Sequence, residues 1–159
     1  MTLQDYNQSV HDYSNRVCRF VDKVLVDSTV AKDITQEAYL KLWERKETVD
    51  GTKVRAWLFT TAYRLSLDYL QKQKRYVKEE HLPEWSVEQE SPDLKKIVNE
   101  ALVLLNEVQR SILLLKDYEG YSYAEIGEML QVNESQVKVY LFRARKRIKE
   151  HIGELRWVI

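Results

Sequence analysis

The chain has 159 residues, 44% of them hydrophobic, with 25 Lys and Arg against 25 Asp and Glu and a single cysteine. That apolar content supports packed cores and excludes wholesale disorder, while one Cys excludes an internal disulfide framework and a Cys-based zinc site. His11, His81 and His151 lie too far apart for ligand spacing, and no signal peptide, membrane-length apolar run or Gly-rich phosphate loop is present, so the sequence predicts a soluble protein of a reducing compartment with no cofactor and no metal.

Helical periodicity recurs along nearly the whole chain and period-two alternation does not, which predicts an all-α fold. The first helix is expected over residues 4–27, burying Val10, Val17, Phe20, Val21, Val24 and Leu25. The second is expected from Asp33 to Glu47, burying Ile34, Ala38, Leu42 and Trp43, with Asp50-Gly51 as a turn. The third spans about Lys53 to Tyr76, with Trp57, Leu58, Thr61, Leu65 and Leu70 at helical spacing. Residues 77–93 change character: they hold both prolines, and within them 79–93 carries six acids (Glu79, Glu80, Glu84, Glu88, Glu90, Asp93) without a Lys or Arg. This acidic segment reads as a flexible linker, able to reach roughly 55–60 Å if fully extended. It also accounts for the neutral balance, because residues 1–78 carry 14 Lys and Arg against 10 acids and residues 94–159 carry 11 against nine.

Beyond it, Ser91-Pro92 opens a helix to about residue 104, and Asn106 caps another running to about Tyr118, where Gly120 supplies the stop. Two short helices then follow within 122–150. Ser122 and Glu125 form an S-x-x-E capping box, and Asn133 with Gln136 repeats the arrangement. An apolar stripe of Ile126, Leu130, Val132, Val137, Leu141, Ala144 and Ile148 leaves Ser135, Gln136, Lys138, Val139, Phe142 and Arg143 facing outward. From Lys138 to Lys149 there are six cations, Arg145 and Lys146 among them, and no acid. A basic helix alone reads as a solvated face. Two matched caps and one-sided charge point instead to a helix-turn-helix whose second helix enters a DNA major groove. The expected architecture is two small helical domains, residues 1–76 and 94–159, joined by the linker 77–93, the second a four-helix unit.

With DITQEAYLKLWER at 33–45, AWLFTTAYRLSLDYL at 56–70 and GYSYAEIGEMLQVNESQVKVYLFRARKRI at 120–148, the chain resembles the extracytoplasmic-function (ECF) sigma factors of the sigma-70 family. The resemblance spans about residues 4–151. It implies a core RNA polymerase partner docked on Asp33, Gln36, Glu37, Leu40, Lys41 and Glu44; by chemistry alone that face reads as solvated and braced by pairs such as Glu37–Lys41. It implies a melted −10 strand held by Lys53, Arg55, Tyr63, Arg64, Lys72, Lys74 and Arg75, where cations track phosphates and an aromatic group stacks on bases. It further implies −35 reading by Ser135, Gln136, Lys138, Val139, Phe142, Arg143, Arg145 and Lys146, an anti-sigma partner that is often membrane-bound, a cytoplasmic location, no catalytic activity and no small-molecule substrate.

Two departures bear on specificity. Tyr63-Arg64 stands where the family commonly has Arg-Asn, and Val139-Tyr140 where it has Ser-Arg. The rival reading from the helix-turn-helix alone is a stand-alone regulator that dimerises on a palindrome.

Overall fold

The computed structural model describes residues 1–76 and 94–158, all of whose regular elements are helical. The acidic segment 77–93 lies outside the described residues.

Helix α1 (Leu3–Leu25) starts at a reciprocal capping box between Thr2 and Asp5 and ends at Val26, a β-branched residue in the left-handed region at φ 56. Its buried stripe is Val17, Phe20, Val21 and Val24, whereas Val10 is 38% exposed and lies off the core. Helix α2 (Ser28–Glu44) begins five residues before the expected Asp33. The reason is Asp27, whose carboxylate accepts from the backbone N–H groups of Thr29 (3.1 Å) and Val30 (3.3 Å). That cap holds Ser-Thr-Val, a weak helix-forming triplet, in the first turn.

Helices α1 and α2 are tied by reciprocal tyrosines. Tyr39 donates its hydroxyl to the Ser9 carbonyl at 2.7 Å and Tyr6 donates to the Tyr39 carbonyl at 3.3 Å. After a 3₁₀ turn at Gly51–Lys53, α3 (Val54–Tyr76) closes this half, with Leu58, Phe59 and Ala62 fully buried. The Phe20 and Phe59 rings meet edge to face at 5.4 Å.

The second half holds α4 (Leu94–Val103), α5 (Glu107–Leu113), α6 (Tyr123–Leu130) and α7 (Glu134–Val158). Asn106 caps α5 in a capping box with Gln109. The expected helix to Tyr118 changes pitch on the way: Leu114–Tyr118 is a π turn, in which the Glu119 N–H reaches the Leu114 carbonyl at 3.0 Å. Gly120, at φ 77, then reverses the chain.

The α6–α7 turn needs a second glycine. A Cβ at Gly127 would sit 2.8 Å from the Val132 carbonyl oxygen, and only hydrogen lets the turn close there. Gln131 takes the left-handed position at φ 57. The buried residues of both halves form one continuous cluster, from Val17 and Phe20 through Phe59 to Tyr121, Ile126 and Leu141.

Candidate nucleic-acid interface

Both caps of the helix-turn-helix are formed. Glu125 N–H donates to Ser122 Oγ (3.1 Å) while Ser122 N–H donates to Glu125 Oε1 (3.0 Å). Gln136 N–H donates to Asn133 Oδ1 (2.8 Å) and Asn133 N–H donates to Gln136 Oε1 (3.1 Å). The Ser122 hydrogen bonds, backbone first, hold the Glu125 carboxyl below the usual range. Val137, Leu141 and Ala144 turn inward and are buried with Ile126 and Leu130.

This packing fixes the outward face. Ser135, Gln136, Lys138, Val139, Phe142, Arg143, Arg145 and Lys146 are all exposed. Phe142 stands 68% exposed and Val139 46%, one helical turn apart on the same face. Asn133, Ser135, Gln136, Val139, Tyr140 and Arg143 line a shallow recess at the start of α7. Lys138 pairs loosely with Glu134 at 3.9 Å. Its ammonium and that of Lys116 flank the Tyr123 ring, at 5.4 Å and 4.7 Å.

Arg145 differs from its neighbours. Its guanidinium is held in a two-point contact by Asp117 of the π turn, at 2.6 Å and 3.3 Å. The hydrogen bonds to Asp117 push its pKa up.

On α3 the expected strand-binding residues divide. Arg64, Lys72, Lys74 and Arg75 are exposed, as is Lys53 in the 3₁₀ turn before the helix. Arg55 is half-buried and Tyr63 is only 6% exposed. Successive residues on a helix point about 100° apart, so Tyr63 follows Phe59 and Ala62 into the core while Arg64 turns out. Burial pushes the Tyr63 phenol up, with Tyr140 and Glu107 of the second half adding to the effect. Tyr63 is therefore out of reach of a base in this conformation. Asp68 is exposed and Trp57 half-buried against the core.

On α2, Asp33, Gln36, Glu37, Leu40, Lys41 and Glu44 form one exposed strip at i, i+3, i+4 spacing. Leu40 is 57% exposed at its centre. Trp43, expected in the core, is instead 40% exposed, with Lys46 Nζ 3.5 Å above its ring and Tyr6 edge-on at 5.1 Å. The sequence signal was present in its position, one residue before Glu44 and three after Leu40, but aromatic bulk favoured a buried reading. Among the described residues no group of His, Cys, Asp and Glu is placed to hold a metal ion.

Comparison with known proteins covers both halves. Residues 10–76 match the family model of sigma-70 region 2, and residues 95–148 match that of sigma-70 region 4. The chain is 29% identical over 156 residues to the ECF RNA polymerase sigma factor SigM of Bacillus subtilis, covering 94% of each chain. It is 31% identical over 136 residues to the ECF RNA polymerase sigma factor SigK of Mycobacterium tuberculosis, covering 78% of this chain and 73% of the relative.

In fold it matches the sigma factor RpoE of Bartonella quintana, solved with the anti-sigma factor NepR, at a TM-score of 0.80 and 23% identity over 95% of this chain and 98% of that one. CnrH, solved with the cytosolic domain of CnrY, matches at 0.69 and 17% identity over 94% and 88%. The capped helix pair, the helical half before it and the identities across both place the chain in one family: it belongs to the ECF sigma factors of the sigma-70 family.

Proposed function

We propose that the chain brings core RNA polymerase to promoters by dividing the work among three surfaces. The α2 strip of Asp33, Gln36, Glu37, Leu40, Lys41 and Glu44 docks the clamp helices of the largest polymerase subunit. The start of α7 reads the −35 duplex, with Ser135, Gln136, Lys138, Val139, Phe142 and Arg143 toward base edges and Lys146 toward phosphate; Arg145 joins when Asp117 releases it. Lys53, Arg64, Lys72 and Arg75 follow the backbone of the melted −10 strand, and Arg55, Tyr63 and Lys74 complete the site once the second half moves away.

Residues 1–76 and 94–159 act as two domains, with 77–93 as the tether that lets them reach two promoter elements. The chain performs no chemistry of its own and works in the cytoplasm beside the polymerase. No described helix is long and apolar enough to cross a membrane, which fits that location. An anti-sigma factor is the expected regulator, since RpoE and CnrH, whose fold the chain shares, were both solved with protein partners, one of them named as an anti-sigma factor.

The observation that carries the reading is the exposed Val139–Phe142–Arg143 face held on a fully buried scaffold, where apolar groups and a cation are offered together to a groove. The polymerase surface is tested by Leu40→Ala and Glu37→Lys. Affinity for core polymerase should fall roughly tenfold or more, as expected when a central contact is lost, while the thermal melting of the free chain stays put. Unchanged core affinity in both variants would refute the α2 assignment.

A further inference from the structure

The residues assigned to the melted strand are not all free in the isolated chain. Arg55 Nη2 donates to the Glu119 carbonyl at 2.5 Å and lies 3.3 Å from its carboxylate Oε2. Its guanidinium lies 4.6 Å from the centre of the Tyr121 ring. Arg16 of α1 takes the same Oε2 at 2.5 Å, so one carboxylate, 11% exposed, grips two guanidinium groups from the first half. Tyr121, buried, also meets Phe59 edge to face at 6.0 Å. Farther along α3, Lys74 Nζ is 3.6 Å from Glu107 Oε1, and Tyr63 is buried nearby.

Carboxylate and carbonyl oxygens present to Arg55 and Lys74 the same acceptor chemistry that phosphate oxygens of a strand would. The other two working surfaces are untouched: the α2 strip and the outer face of α7 stay exposed in this arrangement.

We propose that Glu119 and Glu107 are an internal strand mimic, which latches the second half over the strand-capturing side of α3 and leaves polymerase docking and duplex reading open. This rests on the reading of α3 as the strand-capturing helix. The latch gives binding an order. Polymerase can engage the exposed α2 face first, and separation of the two halves then frees Arg55, Tyr63 and Lys74 at the place where strands are to be opened. The mixed burial of the contacts suits a reversible device. The Glu119 carboxylate is largely shielded from water, whereas Lys74, with a side chain 74% exposed, contributes little to holding the halves together.

The test uses the full-length chain without polymerase, as wild type and as Glu119→Gln, Glu107→Gln and the double variant. Glu128→Gln, an exposed position on α6, controls for lost negative charge. Small-angle X-ray scattering reads the separation of the halves. Fluorescence anisotropy reads affinity for a short random-sequence single-stranded oligonucleotide and for its duplex. The double variant should expand and bind the single strand up to about tenfold tighter, as when a competent state rises from a tenth of the population to most of it. Its duplex affinity should not change, and Glu128→Gln should behave as wild type.

A double variant that stays as compact as wild type overturns the latch alone. One that expands without gaining single-strand affinity overturns the strand-capturing reading of α3, and the mask with it. An equal gain on duplex and single strand reduces the effect to net charge and also overturns the proposal.

Discussion

On the proposed reading, individual side chains set how selective the α7 face is. Phe142 and Arg143 are exposed, so Phe142→Ala and Arg143→Ala should leave the melting temperature within a degree or so. Each should lower transcription from a −35-dependent promoter by roughly tenfold, in line with about 1–3 kcal/mol for a base-edge contact. Equal transcription from wild type and variants would remove these residues from the reading face.

Glu125 carries a different prediction. Its folded pKa is depressed by the Ser122 hydrogen bonds, so its stabilisation is present above the ordinary carboxylate pKa and is lost as pH falls through the lower folded value. Glu125→Gln keeps a capping side chain but cannot titrate. Urea unfolding followed from neutral pH down to about pH 3, below the ordinary Glu value, should show a shallower acid slope for Glu125→Gln than for wild type. Which side chains face outward on α7 was legible from the apolar stripe. The burial of Tyr63 was not, because its surroundings include Glu107 and Tyr140 of the other half of the chain, which leave no local pattern.

Elements obey their caps. Asn106, Ser122 and Asn133 were readable as helix starts because an N-cap is a short-range pattern, and each forms its box. The start of α2 was missed because Asp27 acts alone, followed by Ser28, Thr29 and Val30, which break the apolar periodicity that otherwise marks a helix. Asp27→Ala should therefore destabilise the chain by about 1 kcal/mol through loss of two accepted N–H bonds.

The turn between α6 and α7 gives a paired prediction. Gln131→Gly should stabilise by up to about 1 kcal/mol, since an exposed non-glycine residue at φ 57 carries left-handed strain. Gly127→Ala should destabilise, because the new methyl meets the Val132 carbonyl at 2.8 Å and backbone must move. Thermal unfolding of the two single variants checks both signs. The π turn at Leu114–Tyr118 lay beyond sequence reading, as no residue type announces it. It is what sets Asp117 against Arg145 and Glu119 against Arg16 and Arg55.

At the scale of the whole molecule, the all-α architecture and the family followed from motifs spread across both halves, whereas the way the halves meet did not. Arg16 and Glu119 are separated by 103 positions and Arg55 and Glu119 by 64, and nothing local marks such a pairing.

The central claim is that this chain gives core RNA polymerase a bipartite promoter preference. It is tested most directly by reconstituting the two on a randomised promoter library and sequencing the transcript starts. The expected result is a single pair of elements at fixed spacing upstream of the starts, with Val139 or Arg143 substitutions altering the distal element and Arg64 substitutions the proximal one. Starts that share no such pair, or failure of the chain to bind core polymerase, would contradict the account.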